Sequence, residues 1–100
     1  MKVRRAAYAG TFYEGTSQSL KNQIEKCFTH ELGPKTLPKV ADGKLKRTVG
    51  FISPHAGYMY SGPVAAHGYY HLALDGKPDF VVVFGPNHTG MGSGLAIMRE

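Results

Sequence analysis

The spacing of apolar positions predicts a first amphipathic helix near the start of the chain. Between residues 17 and 30, apolar side chains recur one helical turn apart, at Leu20, Ile24, Cys27 and Phe28. We therefore expect a helix from about Ser17 to His30, with its N-cap among residues 15–17. Because Cys27 belongs to the apolar stripe, we interpret it as a buried core thiol and not as a ligand or a nucleophile.

A second helical pattern follows in the middle of the chain. Ser61 can cap a helix that runs to about Leu74, and Pro63 would then fall in its first turn. The apolar face of this helix would comprise Val64, Ala65, Gly68, Tyr69 and Leu72. His67 and His71 are spaced as in zinc-binding helices, but a polar flank is the commoner cause of that pattern.

Three runs with β-branched and apolar residues predict strands at residues 48–53, 80–85 and about 95–98. The first two show little alternation, which is typical of strands buried on both faces. With the helix between them they form a βαβ pattern, so we expect parallel strands and a right-handed crossover. The predicted fold class is α/β, a mostly parallel sheet with flanking helices. Residues 33–46, rich in proline, glycine and charge, predict a loop.

Composition and charge restrict the class of protein. One hundred residues form at most one small domain, and apolar and charged fractions of 42% and 19% are those of a globular chain. No apolar run is long enough for a bilayer, and the only cysteine fits a reducing compartment, so we expect a cytoplasmic protein without a membrane partner. The net charge of +5 is scattered and accompanies no nucleic-acid module, so nucleic acid is not an expected partner.

Two histidines occupy turns that follow the two main predicted strands. His55 lies just after the first and His88 just after the second. Carboxyl ends of parallel strands share one edge of a sheet, so both imidazoles should meet in one cleft there. Neutral imidazole is a common ligand of divalent transition metals, which makes the pair a candidate metal site. Two alternatives remain. The histidines could act as an acid/base pair without metal, or each could only form hydrogen bonds with the backbone of its own turn. A phosphate-binding loop at residues 85–92 is disfavoured because the lysine of a P-loop is missing.

Three stretches of the chain resemble the N-terminal signatures of the Memo family. They are Ala9-Gly10-Thr11-Phe12-Tyr13, Pro54-His55-Ala56-Gly57-Tyr58-Met59-Tyr60-Ser61-Gly62 and Gly85-Pro86-Asn87-His88-Thr89-Gly90. The resemblance implies the fold of class III extradiol ring-cleaving dioxygenases. It also implies a metal cleft in which His55 and His88 are ligands, with iron, copper or zinc as the metal. Phe12, Tyr58 and Tyr60 would be aromatic residues of the cleft that contact a substrate.

Members of that family are much longer, and their third ligand comes from a C-terminal part that this sequence does not contain. We therefore interpret residues 1–100 as a single domain that is the N-terminal part of a larger α/β domain. The resemblance implies a metal-binding protein with possible redox activity. Three rivals stay open. They are a module that binds a peptide or phospho-ligand in the same cleft without metal, a non-haem iron dioxygenase-type enzyme, and a purely structural βαβ fragment with a basic surface. Small molecules or peptides are the expected partners, and substrate, metal identity, enzymatic activity and oligomeric state are left undetermined.

Overall fold

The structure of the chain, a computed structural model, describes residue 3 and residues 5–97. It contains two α-helices, α1 (Ser17–Thr29) and α2 (Tyr58–Asp75), joined by long irregular segments. The predicted loop at residues 33–46 is confirmed. No helix within the described residues is long and apolar enough to cross a membrane.

Helix α1 agrees with the sequence prediction at both ends. Thr16 is the N-cap, and its hydroxyl accepts a hydrogen bond from the backbone N–H of Ser19 at 3.2 Å. The Ser19 hydroxyl in turn lies 3.4 Å from the Thr16 N–H, which completes a capping box. His30 is the C-cap. The cap side chains therefore determine where this helix begins, and they are visible in the sequence.

Helix α2 begins earlier than the sequence predicted. Its first residue is Tyr58, and its N-cap is Gly57 in place of Ser61. The N–H of Tyr58 donates to the carbonyl oxygen of Phe12 at 2.9 Å, so a distant segment satisfies a group that a cap side chain would otherwise bind. Pro63 consequently lies inside the helix and not in its first turn, where it leaves one intrahelical hydrogen bond unmade.

The two helices pack against each other at a site of small residues. Ala66 is 3% exposed and Cys27 is 9% exposed, which confirms Cys27 as a buried thiol. Gly62 of α2 faces Cys27 so closely that a Cβ at this position would overlap the Sγ atom. The predicted apolar face of α2 was partly wrong, because Val64 is exposed while Ala66 makes the helix contact. Glycine, and not a larger apolar residue, allows this close approach.

The predicted parallel sheet is wrong for the part of the chain that the structure describes. The three predicted strands are irregular there, at residues 48–53, 80–85 and 95–97. Within the described residues, the only bridges are the isolated pairs Ala9–Tyr13 and Lys44–Lys77. Met98, the end of the third predicted strand, lies outside the described residues. Buried parallel strands need both faces covered and several neighbours. The two helices pack on each other instead, so Val49 and Ile52 stay fully exposed, and the α/β fold and its dioxygenase-like variant are not observed.

The segments that contain the two predicted strands are nevertheless tied together at their beginnings. Lys44 and Lys77 form an isolated parallel bridge, and the N–H of Lys77 donates to the carbonyl oxygen of Gly43 at 2.8 Å. Gly76 ends α2 with φ 149°, a region that favours glycine, and it lies against the backbone of Lys44. These contacts start both segments side by side and in the same direction.

Asp75, the last residue of α2, makes a second set of contacts with the first segment, at residues 46–48, where the first predicted strand begins. Its Oδ2 atom accepts hydrogen bonds from the backbone N–H groups of Thr48, Arg47 and Lys46 at 2.7, 3.0 and 3.3 Å. These donors favour the charged carboxylate, so the Thr48 and Arg47 N–H groups above all lower the pKa of Asp75 to about 2. The sequence showed Asp75 only as part of a helix end, and its bonding partners lie 27 to 29 residues away.

Candidate functional site

The imidazole rings of His55 and His88 lie together, as their positions in the two turns predicted. Their ring centroids are 5.2 Å apart and the ring planes are inclined at 45°. Both side chains are exposed. The residue numbers of this pair differ by 33, as do those of the bridged pair Lys44 and Lys77. Residues with the same offset in number therefore lie side by side at the bridge and again at the histidines.

Local hydrogen bonds shape the turn that contains His55. Ser61 donates from its hydroxyl to the carbonyl oxygen of Ala56 at 3.0 Å. In the first turn of α2, the N–H groups of Tyr60 and Ser61 donate to the carbonyl oxygen of Gly57 at 2.9 and 3.1 Å. Ser61 is therefore not the N-cap of α2. It lies in the first turn of the helix, and its hydroxyl binds the turn that precedes the helix. His55 is held immediately ahead of a well-defined helix start.

Asn87 shapes the turn that contains His88. Its Oδ1 atom accepts hydrogen bonds from the N–H of Gly90 at 2.9 Å and from the N–H and hydroxyl of Thr89 at 3.1 and 3.2 Å. Its Nδ2 atom donates to the carbonyl oxygen of Met91 at 3.0 Å. The motif search did not single out Asn87, but an asparagine two residues before a threonine and three before a glycine is a sequence signal for such a turn.

The spacing of the histidine rings fits two ligands of one metal ion. With Zn–N bonds of about 2.0–2.1 Å, two imidazoles on a tetrahedral ion have ring centres about 5 Å apart. The observed 5.2 Å agrees with that arrangement. Within residues 3 and 5–97, however, no group of three or more His, Cys, Asp or Glu side chains converges on one point. The metal role of both histidines therefore stays a prediction.

The aromatic residues predicted around the cleft are not all at one place. Tyr58 lines a cavity beside His55, and its ring lies 5.9 Å from that of Tyr13. Phe12 contributes its carbonyl oxygen to the start of α2, while its ring packs edge-on against Tyr8 and remains half exposed. Tyr60 is 79% exposed and does not line the cavity. Their roles in binding a substrate stay predictions.

The cavity beside His55 has a volume of about 470 Å³, within the range of small-molecule sites. Its wall is mostly apolar and includes Ile24 and Phe28 of α1 and Tyr69 of α2. Cys27 also lines it, and burial raises the pKa of this thiol, which keeps it protonated and unreactive. Burial first, and then the neighbouring Tyr69, Cys27 and Tyr13, raises the pKa of Tyr58. The cavity thus offers neutral hydrogen-bonding groups in an apolar wall.

The second histidine pair has separate partners. The Nε2–H of His67 donates to the carbonyl oxygen of Leu32 at 3.0 Å, which links α2 to the loop after α1. The ring of His71 lies edge-on to that of Tyr70, with centroids 6.0 Å apart. These contacts agree with the interpretation of both residues as a polar flank of the helix.

The chain belongs to the Memo family. The family model for Memo-like protein matches residues 4–100, which confirms the resemblance seen in the three motifs. A MEMO1 family protein from Methanothermobacter thermautotrophicus is 57% identical over 98 residues, covering 98% of this chain and 35% of the relative. MEMO1 family proteins from Aeropyrum pernix and Sulfolobus acidocaldarius are 52% and 56% identical over 100 residues, covering 100% and 98% of this chain.

The chain spans about a third of the length of these relatives, since the alignments cover 35% to 36% of them. No solved structure gives a significant match. The names of these relatives state a family and no activity. The comparisons thus establish family membership, and the chemistry has to be argued from the residues.

Proposed function

We propose that this Memo family chain contributes His55 and His88 as a two-imidazole half-site for a divalent transition metal, with zinc, iron or copper as the candidates. The observation that supports it is the 5.2 Å separation of two rings whose residues are 33 positions apart in sequence. Such a metal, when bound, would supply a Lewis acid or, for iron and copper, a redox centre. The chain's own contribution is to hold two imidazoles close together.

Titration with Co²⁺ and Zn²⁺ tests the proposal. We expect bound Co²⁺ to give visible ligand-field absorption, and we expect Zn²⁺ to displace it. His55→Ala or His88→Ala should weaken Co²⁺ binding at least about tenfold, because loss of even an outer-sphere partner commonly costs that much. The matched control is His71→Ala, which removes an exposed histidine of α2.

The proposal fails if the double variant His55→Ala/His88→Ala binds Co²⁺ as well as the unmodified chain does. It also fails if His71→Ala weakens binding as much as His88→Ala, since the metal would then bind surface histidines without selection. NMR of the histidine ring protons separates the cases, because only His55 and His88 should respond to the first equivalent of Zn²⁺.

A second candidate function is the binding of a small uncharged molecule or an apolar peptide side chain in the cavity between the helices. The cavity beside His55 supports it, with a mostly apolar wall and the Tyr58 hydroxyl as a polar group. Substitution of Ala65 by Phe would fill the space from α2 and should abolish binding of an uncharged fluorescent probe such as N-phenyl-1-naphthylamine at this place. Unchanged probe binding in that variant contradicts it. The lone cysteine supports a reducing, cytoplasmic setting for either function.

A further inference from the structure

One aromatic side chain attaches the segment that leads to His55 to the middle of α2. The ring of Phe51 lies against Gly68, where a Cβ atom would come within 2.5 and 2.6 Å of two of the ring carbons. The same ring packs edge-on against Tyr69, with ring centroids 5.2 Å apart and ring planes inclined at 82°. Gly68 therefore leaves room on α2 for the Phe51 ring, and any side chain at this position would take that room away.

Phe51 differs from the other apolar side chains of its segment. Val49 and Ile52 are 104% and 102% exposed, whereas Phe51 is 41% exposed. In the part of the chain that the structure describes, no backbone group of residues 49–55 forms a hydrogen bond with a residue outside this segment. Phe51 is therefore the apolar side chain of the run that can attach the segment to α2.

The segment passes along α2 from the end of the helix to its beginning and is attached at three points. The contacts are Thr48 with Asp75, Phe51 with Gly68, and Ala56 with Ser61. The helix between the outer contacts is roughly 21 Å long, while the chain from residue 48 to residue 56 could extend to roughly 26 Å. The outer contacts alone would therefore let the middle of the segment move several ångströms away from the helix.

We propose that Phe51 is a positioning residue for the two-imidazole half-site, because its contact with Gly68 fixes the path of the chain that leads to His55. This inference rests on the proposed metal function of His55 and His88. Side chains that form a binding site have to be held to within about 0.5 Å of their productive positions. A slack of several ångströms ahead of His55 exceeds that tolerance, so the half-site depends on the contact in the middle of the segment.

Gly68→Ala and Phe51→Ala test the proposal from the two sides of the contact. The first adds a Cβ atom that displaces the ring, and the second removes the ring without adding an atom to α2. We expect each to raise the Co²⁺ dissociation constant about tenfold, as loss of a supporting contact commonly does. The double variant should bind about as weakly as either single variant, because both changes remove one contact.

Two matched controls come from the same segment. Gly50→Ala makes the same change as Gly68→Ala at a position where a Cβ meets open space. Ile52→Ala shortens a fully exposed apolar side chain next to Phe51. Both controls should bind Co²⁺ with the affinity of the unmodified chain, and a control that loses as much affinity as the test variants overturns the proposal.

A measurement without metal separates this inference from the proposed function. Cross-relaxation between the ring protons of His55 and His88 in NMR reports their proximity in the metal-free chain. We expect this signal in the unmodified chain and in both controls, and a weaker signal in Gly68→Ala and Phe51→Ala at a temperature well below their melting points. A role of Phe51 in stability alone would lower the melting temperature and leave the signal intact. If Gly68→Ala loses helicity at 222 nm, Phe51→Ala decides.

An unchanged ring-proton signal in the test variants overturns the proposal. Unchanged Co²⁺ affinity in these variants also overturns it if His55→Ala does lose binding, and the metal function then stands without the positioning role. If neither His55→Ala nor His88→Ala changes Co²⁺ binding, the metal function fails. The ring-proton signal then decides alone whether Phe51 positions His55.

Discussion

Asn87 illustrates how one side chain organises the turn beside a candidate ligand. It accepts three hydrogen bonds from Thr89 and Gly90 and donates one to Met91, so it defines the backbone on both sides of His88. His55 has no comparable side chain next to it in sequence and depends on the start of α2. For the proposed half-site, we therefore propose Asn87 as a positioning residue that acts through the turn.

We expect Asn87→Ala to weaken Co²⁺ binding by about tenfold, because His88 would sample many more positions once the turn is released. Far-UV circular dichroism should stay unchanged, since no helix includes this turn. Asn87→Asp is the matched comparison, because its carboxylate can still accept the bonds from Thr89 and Gly90. The role assigned to Asn87 is wrong if the alanine variant binds metal with the affinity of the unmodified chain.

The helix pair is the best-defined element of the molecule. Its contact depends on Gly62 of α2 and on the Cys27 side chain of α1, which occupies the space that a Cβ would need. Both residues are visible in the sequence, but their contact is not. Periodicity identifies the apolar stripe of a helix, and it does not say which residue of a second helix meets that stripe.

We expect Gly62→Ala to destabilise the chain by about 1 kcal/mol, although alanine is the better helix former by a similar amount. Overlap with Cys27 Sγ forces the helices apart, and that cost exceeds the gain in helix propensity. Thermal unfolding followed at 222 nm measures the change. Gly50→Ala is the control, since a Cβ there meets open space. The double variant Gly62→Ala/Cys27→Ala should recover stability, and a Gly62→Ala melting temperature at or above that of the unmodified chain would contradict the prediction.

Asp75 connects the end of α2 to residues 46–48 through its charged form. Its pKa lies at about 2 in the folded chain, below the ordinary 3.8, so folding favours the deprotonated carboxylate. The stability it contributes is fully present above about pH 4 and is lost as the pH falls toward 2. We expect Asp75→Asn to lower stability at neutral pH and to flatten the loss of stability between pH 4 and 2.

Urea titrations at several pH values between 7 and 2 test this dependence. Asp79→Asn is the matched control, because Asp79 is exposed and only forms an ion pair with Lys44 at 3.3 Å, an interaction that contributes little. If Asp75→Asn and the unmodified chain lose stability in parallel between pH 4 and 2, the three backbone hydrogen bonds do not act through the carboxylate charge.

At the scale of the whole molecule, little apolar surface is buried. The radius of gyration is 15.2 Å, larger than the roughly 13 Å of a compact domain of this length. Cys27 and Ala66 are the buried hydrophobic residues within the part of the chain that the structure describes. The two apolar runs expected to form the centre of a sheet are instead in water.

The sequence by itself determined the features that depend on near neighbours in the chain. The capping residues and the four-residue spacing of apolar side chains located α1, and the buried position of Cys27 followed from the same stripe. The motifs around His55 and His88 indicated the Memo family, which the comparison with the family model establishes. The position of α1 and the burial of Cys27 depend on residues within one or two helical turns of each other. The family motifs are recognised from the sequence alone, whatever the chain's fold.

Only the tertiary structure decided the features that depend on distant partners. The carbonyl oxygen of Phe12 accepts a hydrogen bond from Tyr58, where α2 begins. The carboxylate of Asp75 accepts a hydrogen bond from Thr48, 27 residues earlier in the chain. The apolar runs predicted strands because their composition suits burial, but a strand also needs a paired neighbour and covered faces. The described chain provides neither for residues 48–53 and 80–85. The two histidines still lie together, with the same offset in residue number as the bridged pair Lys44 and Lys77, and composition alone does not show this.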